Sequence, residues 1–415
     1  MKKLVQLATI GALIYSNVLA SGFQLNEQGA RAMSMGGAFA GLANDPSALY
    51  FNPAGITQLK GTNFYLGGTL IMPLGSYKAP GSKDVTAEQV AQTYTPVNFY
   101  VTHAFSDDFS VGLSINNQYG LGTKWDENWT GRYLAINTQV QTYQGTLAIA
   151  YKVLDNLSIS AGAVYGITDV TIKNKKAVVI QTSATTSLNL GDVSPSMEGD
   201  GSAFGFTAGI LYKPFDDFQM GLSYRSEIAY DLSGTVVTIP NVLSVGSLII
   251  AIADQNIEAS LTTPQNITFG IAYMPKKNLT LTADFQFVGW SSYDKLEVIN
   301  SDTKAKISSV TRDYKDTYIV RAGLEYTVSD AFTLRGGVLY DHNPVKDELV
   351  EPTLPDADRI GLNVGYGAKI GNLGIDVGYF FLIFMDRDVT KSTFGLNGTY
   401  SMTAHLLGMN LSYSL

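Results

Sequence analysis

The last ten residues of the chain, LLGMNLSYSL, alternate strictly between apolar and small or polar side chains. Such a period of two predicts a β-strand with one apolar face, because successive side chains of a strand point to opposite sides. The same rhythm recurs in fourteen runs, which lie near 62–74, 94–105, 109–119, 138–152, 156–170, 201–213, 217–232, 262–275, 278–290, 312–327, 331–342, 358–370, 373–386 and 404–415. We therefore expect an all-β fold.

The connections between these runs alternate in length. Short turns such as FSDDF at 105–109, KPFDDF at 213–218 and IGNL at 370–373 are each followed by a long connection after the next run. An even number of strands, with short turns at one rim and long loops at the other, is typical of bacterial outer-membrane barrels. A secreted β-sandwich or β-helix is the alternative, but neither has a reason to alternate its loop lengths. We predict a transmembrane antiparallel β-barrel of fourteen strands.

Residues 1–20 have the pattern of a signal peptide, because Lys2 and Lys3 precede a short apolar run and Ala20 is a small residue at the expected cleavage point. Cleavage there would export the chain and start the mature protein at Ser21. The formal net charge is −8 and becomes −10 when the two lysines are removed. This charge argues against a nucleic-acid partner.

Composition excludes several classes of site. The chain has no cysteine, which rules out disulfides, thiol nucleophiles and thiolate metal ligands. Its three histidines, His103, His342 and His405, lie far apart without the spacing of metal ligands, and no motif suggests a Ser–His pair of a hydrolase. Only 15% of residues are charged, whereas about 25% is usual in soluble domains. We expect no cofactor, no metal and no enzymatic activity.

Residues 21–58 precede the first strand and are too short and too glycine-rich to form a separate domain. Asn52-Pro53-Ala54 predicts a compact turn, since Pro53 cannot donate to a strand ladder. The glycine-rich run MSMGGAFAG lacks the preceding strand and the lysine of a phosphate-binding loop. A fourteen-stranded barrel is wide enough to hold such a segment. We predict that 21–58 is a hatch inside the barrel formed by 59–415.

Seven stretches of the sequence resemble the FadL-type family, which transports long-chain fatty acids and aromatic hydrocarbons across Gram-negative outer membranes. They run in order from Ser21 to the C-terminus and are SGFQLNEQGARAMSMGG, Asn52-Pro53-Ala54, YGLGTKW, LSYRSE, YKDTY, TLRGGVLYDHNPV and LPDADR. The resemblance implies a fourteen-stranded barrel with an N-terminal hatch, in agreement with the count of runs.

The resemblance also implies a mechanism, in which an apolar ligand is captured between extracellular loops and passes to an inner site. It then leaves through a lateral gap where the third strand kinks. Carried over by position, Phe23 would reach into the inner site, and the kink would fall at Tyr119 and Gly120. Lys315 matches a basic residue that can face a ligand carboxylate. Fatty acid carriers of the family have a second basic residue on the fifth strand, where this chain has Val164-Tyr165-Gly166, and this difference leaves hydrocarbon substrates open.

Two further stretches are candidate ligand contacts. On the thirteenth strand, the alternation of faces predicts that Phe380, Leu382 and Phe384 point inward. There they would either line an apolar passage for the ligand or pack against the hatch. The loop at 239–259 contains a contiguous apolar patch that includes Leu248, Ile249 and Ile252. Such a patch on an exposed loop favours ligand capture over burial under neighbouring loops. The helical spacing of its apolar residues predicts that part of this loop is a short helix.

The sequence therefore predicts a monomeric outer-membrane channel for passive uptake of hydrophobic small molecules, with membrane lipid as its other partner. Long-chain fatty acids are the first substrate class and aromatic hydrocarbons the second. A general diffusion porin or a purely structural barrel is the alternative from a different class.

Overall fold

The computed structural model describes residues 22–181, 187–245 and 248–415. They form a closed antiparallel barrel of fourteen strands, as the alternation predicts. The barrel closes where the first strand pairs with the last, from Asn63 opposite Ser414 to Lys78 opposite Thr399. The predicted signal peptide lies outside the described residues. No helix in the described ranges is both long and apolar enough to cross a membrane.

We number the barrel strands in chain order, and several of them are interrupted. Their bounds are Thr62–Lys78, Val97–Ala104, Phe109–Asn116 with Gly120–Lys124, Asn137–Leu154, Leu157–Lys173, Ser187–Phe215, Phe218–Arg225 with Ile228–Ile239, Gln255–Thr263 with Asn266–Lys276, Leu279–Val288 with Lys295–Asn300, Lys306–Thr311 with Thr317–Ser329, Phe332–Asp341, Arg359–Ile370, Leu373–Phe384 and Gly398–Ser414. Short strands outside this set are Ala87–Glu88, Lys176–Gln181, Val242–Val245, Leu248–Ala251 and Arg387–Val389. The helices are α1 (Ala30–Ser34), α2 (Ala48–Phe51) and the 3₁₀ helices Pro53–Gln58, Trp290–Ser292 and Asp347–Leu349.

The two faces of the strands have the character that the period of two predicts. On the last strand, Leu407, Met409 and Leu411 point outward with exposed fractions of 44%, 51% and 44%. Leu406 and Asn410 point inward and are 2% and 1% exposed. An apolar outer face suits contact with lipid, and the inward face is buried because the lumen is filled.

The N-terminal segment, residues 22–58, is hydrogen-bonded to residues of several barrel strands. The guanidinium of Arg31 donates to both carboxylate oxygens of Glu325 at 2.9 Å, and Phe39 and Ala40 donate backbone N–H groups to Asp284 at 2.8 and 2.9 Å. The side-chain amide of Asn52 donates to the carbonyl of Ile210 at 2.9 Å. These contacts tie the segment to the tenth, ninth and sixth strands.

Glycines on the inward face let the backbone of this segment approach the wall. A Cβ added to Gly270 would lie 2.5 Å from the amide nitrogen of Gly41, and one added to Gly337 would lie 2.2 Å from that of Gly36. Any larger residue at Gly270 or Gly337 would therefore displace the segment. Close packing of this kind explains part of the heavy glycine usage of the chain.

The extracellular part differs from the sequence-based prediction. The sixth strand starts at Ser187 rather than near 201, and the seventh continues to Ile239. The predicted short helix in 239–259 is wrong, because Val242–Val245 and Leu248–Ala251 form an antiparallel pair. Polar residues such as those in SPSMEGD hide the alternation there. Ladder bonds to neighbours on both sides, as between Ser194 and Ile239, still make these residues strands.

Candidate functional site

The wall of the barrel is incomplete between the second and third strands. Their ladder ends at Asn98 opposite Asn116. Among the described residues, backbone pairing between the two segments of the chain resumes at the isolated bridge of Gln89 with Trp125. The third strand itself is interrupted between Asn116 and Gly120. We call the gap between residues 91–96 and 117–123 the wall opening.

Side chains replace the missing ladder bonds at this interruption. The amide oxygen of Asn117 accepts the N–H of Val97 at 3.0 Å, and its nitrogen donates to the carbonyl of Thr142 at 2.7 Å. The N–H of Tyr119 donates to the hydroxyl of Thr142 at 2.9 Å. These bonds satisfy the side chain of Asn117 and the N–H of Tyr119, both of which are buried at the interruption.

The start of the N-terminal segment pairs with the third strand at the wall opening. Leu25 donates its N–H to the carbonyl of Gln118 at 2.8 Å, and Gly120 donates to the carbonyl of Phe23 at 2.9 Å. Gln24 thus lies opposite Tyr119 in an isolated antiparallel bridge. The N-terminal residues complete an edge of the wall with two backbone bonds.

Phe23 lies at the centre of an aromatic cluster and is 5% exposed. Its ring centroid is 5.9 Å from that of Tyr119, 4.9 Å from that of Trp290 and 5.8 Å from that of Tyr293, each in an edge-to-face arrangement. Gly22 precedes it with φ +57°, and a Cβ there would lie 2.5 Å from the Trp290 ring. Only glycine fits beside this indole.

The loop LPDADR holds the backbone of Gly22. The N–H of Gly22 donates to the carboxylate of Asp356 at 2.6 Å, and the carbonyl of Gly22 accepts from the guanidinium of Arg359 at 2.5 Å. Arg359 also pairs with Asp356 at 3.0 Å. The buried ion pair of Asp356 and Arg359 therefore fixes the backbone of Gly22. This contact gives LPDADR a structural role.

A cavity of about 420 Å³ adjoins these residues, and we call it the lateral cavity. It lies against the barrel wall, because its lining includes Tyr143, a residue that is 42% exposed and has outward parity on the fourth strand. Backbone and side chains of the wall opening form its edge, among them Tyr94 and Gly120. Its apolar lining includes Phe23, Leu121, Leu339, Phe380, Leu382, Phe384 and Leu406.

A second, smaller cavity of about 40 Å³ lies on the other side of Phe23 and Leu121, and we call it the inner cavity. Its one charged lining residue among those described is Arg312. Arg312 is ion-paired with Glu351, which also accepts the hydroxyl of Thr353 at 2.6 Å. Burial lowers the pKa of the Arg312 guanidinium, but the Glu351 carboxylate outweighs it and raises the net pKa above its ordinary value. The cation of this cavity is thus already neutralised.

The structure brings together six of the residues singled out in the sequence. Phe23, Phe380, Leu382 and Phe384 line the lateral cavity, and Gly120 lies with Tyr119 at its edge. Asn52, Pro53 and Ala54 are fully buried in the lumen, away from both cavities. There, Asn52 accepts the N–H of Ala54 at 3.2 Å and so caps the 3₁₀ helix.

Lys315 lies elsewhere. Its side chain is exposed, it lines neither cavity, and its N–H donates to the carbonyl of Pro344 at 3.0 Å. Arg312, for which the sequence gives no signal, is the basic residue that lines the inner cavity. Leu248 and Ile249 belong to the extracellular strand pair, and Ile252 follows it as a half-buried residue. In the ranges that the structure describes, no three acidic or histidine side chains are grouped to hold a metal ion.

The sequence and the fold are both similar to those of known proteins. The family described as outer membrane protein transport protein (OMPP1/FadL/TodX) matches residues 11–415. The chain belongs to this family. It is 27% identical to a long-chain fatty acid transport protein of Escherichia coli O6:H1 strain CFT073, over 98% of this chain and 97% of that protein.

Solved structures of FadL/TodX proteins have the same fold. A FadL homologue of Pseudomonas aeruginosa superimposes with a TM-score of 0.84 at 21% identity, over 95% of this chain and 100% of that one. The Pseudomonas putida toluene transporter TodX gives 0.76 at 16% identity, over 93% and 98%. The protein is thus an outer-membrane protein of a Gram-negative bacterium and a transporter of hydrophobic compounds.

Proposed function

We propose that this FadL/TodX protein is a passive channel for hydrophobic small molecules that releases them sideways through its wall. The observation that carries this proposal is the lateral cavity, which is lined both by inward apolar side chains such as Phe380 and by the outward-facing Tyr143. A general diffusion porin needs an open polar lumen. Here the N-terminal segment is bonded to the barrel strands, and the lateral cavity combines apolar side chains such as Phe380 and Leu382 with polar ones such as Gln141.

The proposed path has three stages. The apolar extracellular loop at 239–259 captures the ligand, and the inner cavity receives it beside Phe23. Residues 22–25 then move away from the third strand and connect the inner cavity to the lateral cavity. Two backbone hydrogen bonds and the Gly22 clamp are the contacts that this movement breaks. No nucleotide-binding motif is visible in the sequence, so the ligand would diffuse down its own gradient.

Uptake by a barrel-deficient bacterial host that expresses this protein would test the function. We expect faster uptake of oleate or toluene, and no gain in uptake of small sugars. Faster entry of sugars with unchanged entry of both hydrophobic compounds would instead identify a porin.

Within this function, the substrate is either a long-chain fatty acid or a neutral hydrocarbon. The sequence favours the fatty acid. The names of the relatives include both classes. The ion pair between Arg312 and Glu351 favours the neutral class, because a ligand carboxylate would have to displace Glu351 from the guanidinium.

The variant Glu351→Gln tests this choice. It removes the carboxylate that neutralises Arg312, so we expect it to raise the affinity for oleate about tenfold, equivalent to about 1.4 kcal/mol, and to leave toluene binding unchanged. The matched control is Glu348→Gln, an exposed position of the same loop. Binding to purified protein in detergent is the measurement, with heat-modifiable migration as the check of folding. An oleate affinity equal to that of the control would show that Arg312 does not meet the ligand.

A further inference from the structure

Glu27 is a buried acidic residue on the wall of the lateral cavity. It belongs to the N-terminal segment, and 7% of its surface is exposed. Among the described residues that line this cavity, the other charged ones are Asp341 and Arg359. Two acidic residues and one basic residue therefore line a space whose remaining described lining residues are uncharged.

The carboxyl group of Glu27 has no direct counterion in the part of the chain that the structure describes. No lysine or arginine nitrogen lies within 4.0 Å of its oxygens. Arg359 is engaged by Asp356 at 3.0 Å and by the carbonyl of Gly22 at 2.5 Å. Arg321 donates to the side-chain oxygen of Asn26 at 2.8 Å. Both guanidinium groups thus act on Glu27 only at longer range.

Burial changes the acidity of this group. It raises the pKa of the Glu27 carboxyl to about 7. Hydrogen bonds from the backbone N–H groups of Glu27 and Asn26, with the charges of Arg359 and Arg321, offset only part of the cost of removing the charge from water. Near neutral pH the group is therefore poised between a carboxylic acid and a carboxylate. In its ionised form it accepts hydrogen bonds from a ligand and repels a second carboxylate nearby.

We propose that Glu27 is a specificity-determining residue of the lateral cavity, which disfavours ligands with an ionised carboxylate and favours neutral hydrophobic ligands, including those that carry a hydroxyl donor. The proposal rests on the proposed function, because it names the ligand class that the same cavity takes. A fatty acid anion that entered this cavity would bring a second negative charge next to Glu27 with no free cation to compensate it. A long-chain alcohol would instead donate its hydroxyl hydrogen to Glu27.

The test compares two ligands of equal chain length, hexadecanoate and hexadecan-1-ol, on the purified full-length protein and its Glu27→Gln variant. At a pH of about 8.5, Glu27→Gln is expected to bind hexadecanoate about tenfold more tightly than the wild type, while binding of the alcohol stays unchanged or weakens. The control is Glu227→Gln, an exposed glutamate that lines neither cavity. If Glu27→Gln does not fold, Glu27→Met removes the charge at similar length.

A pH profile separates a direct role from a structural one. The ligand carboxyl has an ordinary pKa of about 4.5, so it stays ionised between a pH of about 6 and about 8.5. The carboxyl of Glu27 titrates within this range. Hexadecanoate affinity of the wild type is expected to fall across this interval, and that of Glu27→Gln to stay flat. The surrounding groups Asp341, Arg359, Arg321 and Asp356 are the same in both proteins, so the difference reports Glu27.

Equal hexadecanoate affinity in the wild type and in Glu27→Gln, with the alcohol bound by both, would overturn the role of Glu27 and leave the transport function standing. A wild type that binds neither the acid nor the alcohol would overturn the proposed function and this inference with it.

Discussion

A chain that lacks residues 24–58 is expected to form a barrel with a far larger ion conductance than the intact protein. These residues carry the contacts to Asp284, Glu325 and Ile210, and we expect them to close the lumen. The strands keep their ladders without the segment, since each one pairs with neighbours on both sides. Removal would leave inward-facing charged groups such as Arg335 and Asp376 around a water-filled channel.

Conductance of the purified variant in planar lipid bilayers is the measurement. Heat-modifiable migration on gels would show that the barrel has formed. Deletion of the extracellular strand pair 242–251 is a matched control, because it removes part of a loop without opening the lumen. A conductance equal to that of the intact protein would mean that 24–58 does not close the channel.

The barrel could be predicted from the sequence because the alternation of apolar and polar side chains is a local property of each strand. In the last strand, the alternation of Leu407, Met409 and Leu411 with small and polar residues fixes which face meets lipid, and no distant contact is needed to see it. The same rule fails outside the membrane. There the polar residues of the sixth strand show no alternation, so its extracellular part was predicted to be a loop.

The cavities could be predicted only in part. Parity correctly placed Phe380 and Leu382 on the inward face of the thirteenth strand. Lys315 is matched by the family resemblance, and it lies in residues 312–316, which follow an irregular course between the two parts of the tenth strand. An alternation of faces holds only where the backbone is extended, which is why Arg312 rather than Lys315 lines the inner cavity.

Contacts between distant parts of the chain were beyond the reach of sequence patterns. The clamp on Gly22 requires Asp356 and Arg359, and the neutralisation of Arg312 requires Glu351. LPDADR was recognised as part of the family resemblance, but its spacing does not reveal that it meets the N-terminus. Glu27 gave no signal, because a single acidic residue in a short segment is ordinary until its burial is known.

The variant Gly120→Trp is expected to block transport while leaving the barrel intact. Gly120 lies at the edge of the lateral cavity, and a Cβ there would lie 2.9 Å from the methyl end of Leu25, which can rotate away. An indole at this position would occupy the cavity beside the wall opening. We expect uptake of hydrophobic compounds to fall tenfold or more, an effect of at least about 1.4 kcal/mol on the passage.

Uptake of toluene by a barrel-deficient host, compared between wild type, Gly120→Trp and Gly336→Trp, tests the central claim most directly. Gly336 points outward on the eleventh strand, and the nearest atoms to an added Cβ are 3.9 Å away, so its indole would meet only lipid. Release through the wall predicts that Gly120→Trp loses uptake while Gly336→Trp matches the wild type. Wild-type uptake by a folded Gly120→Trp barrel would show that the ligand does not leave through this opening.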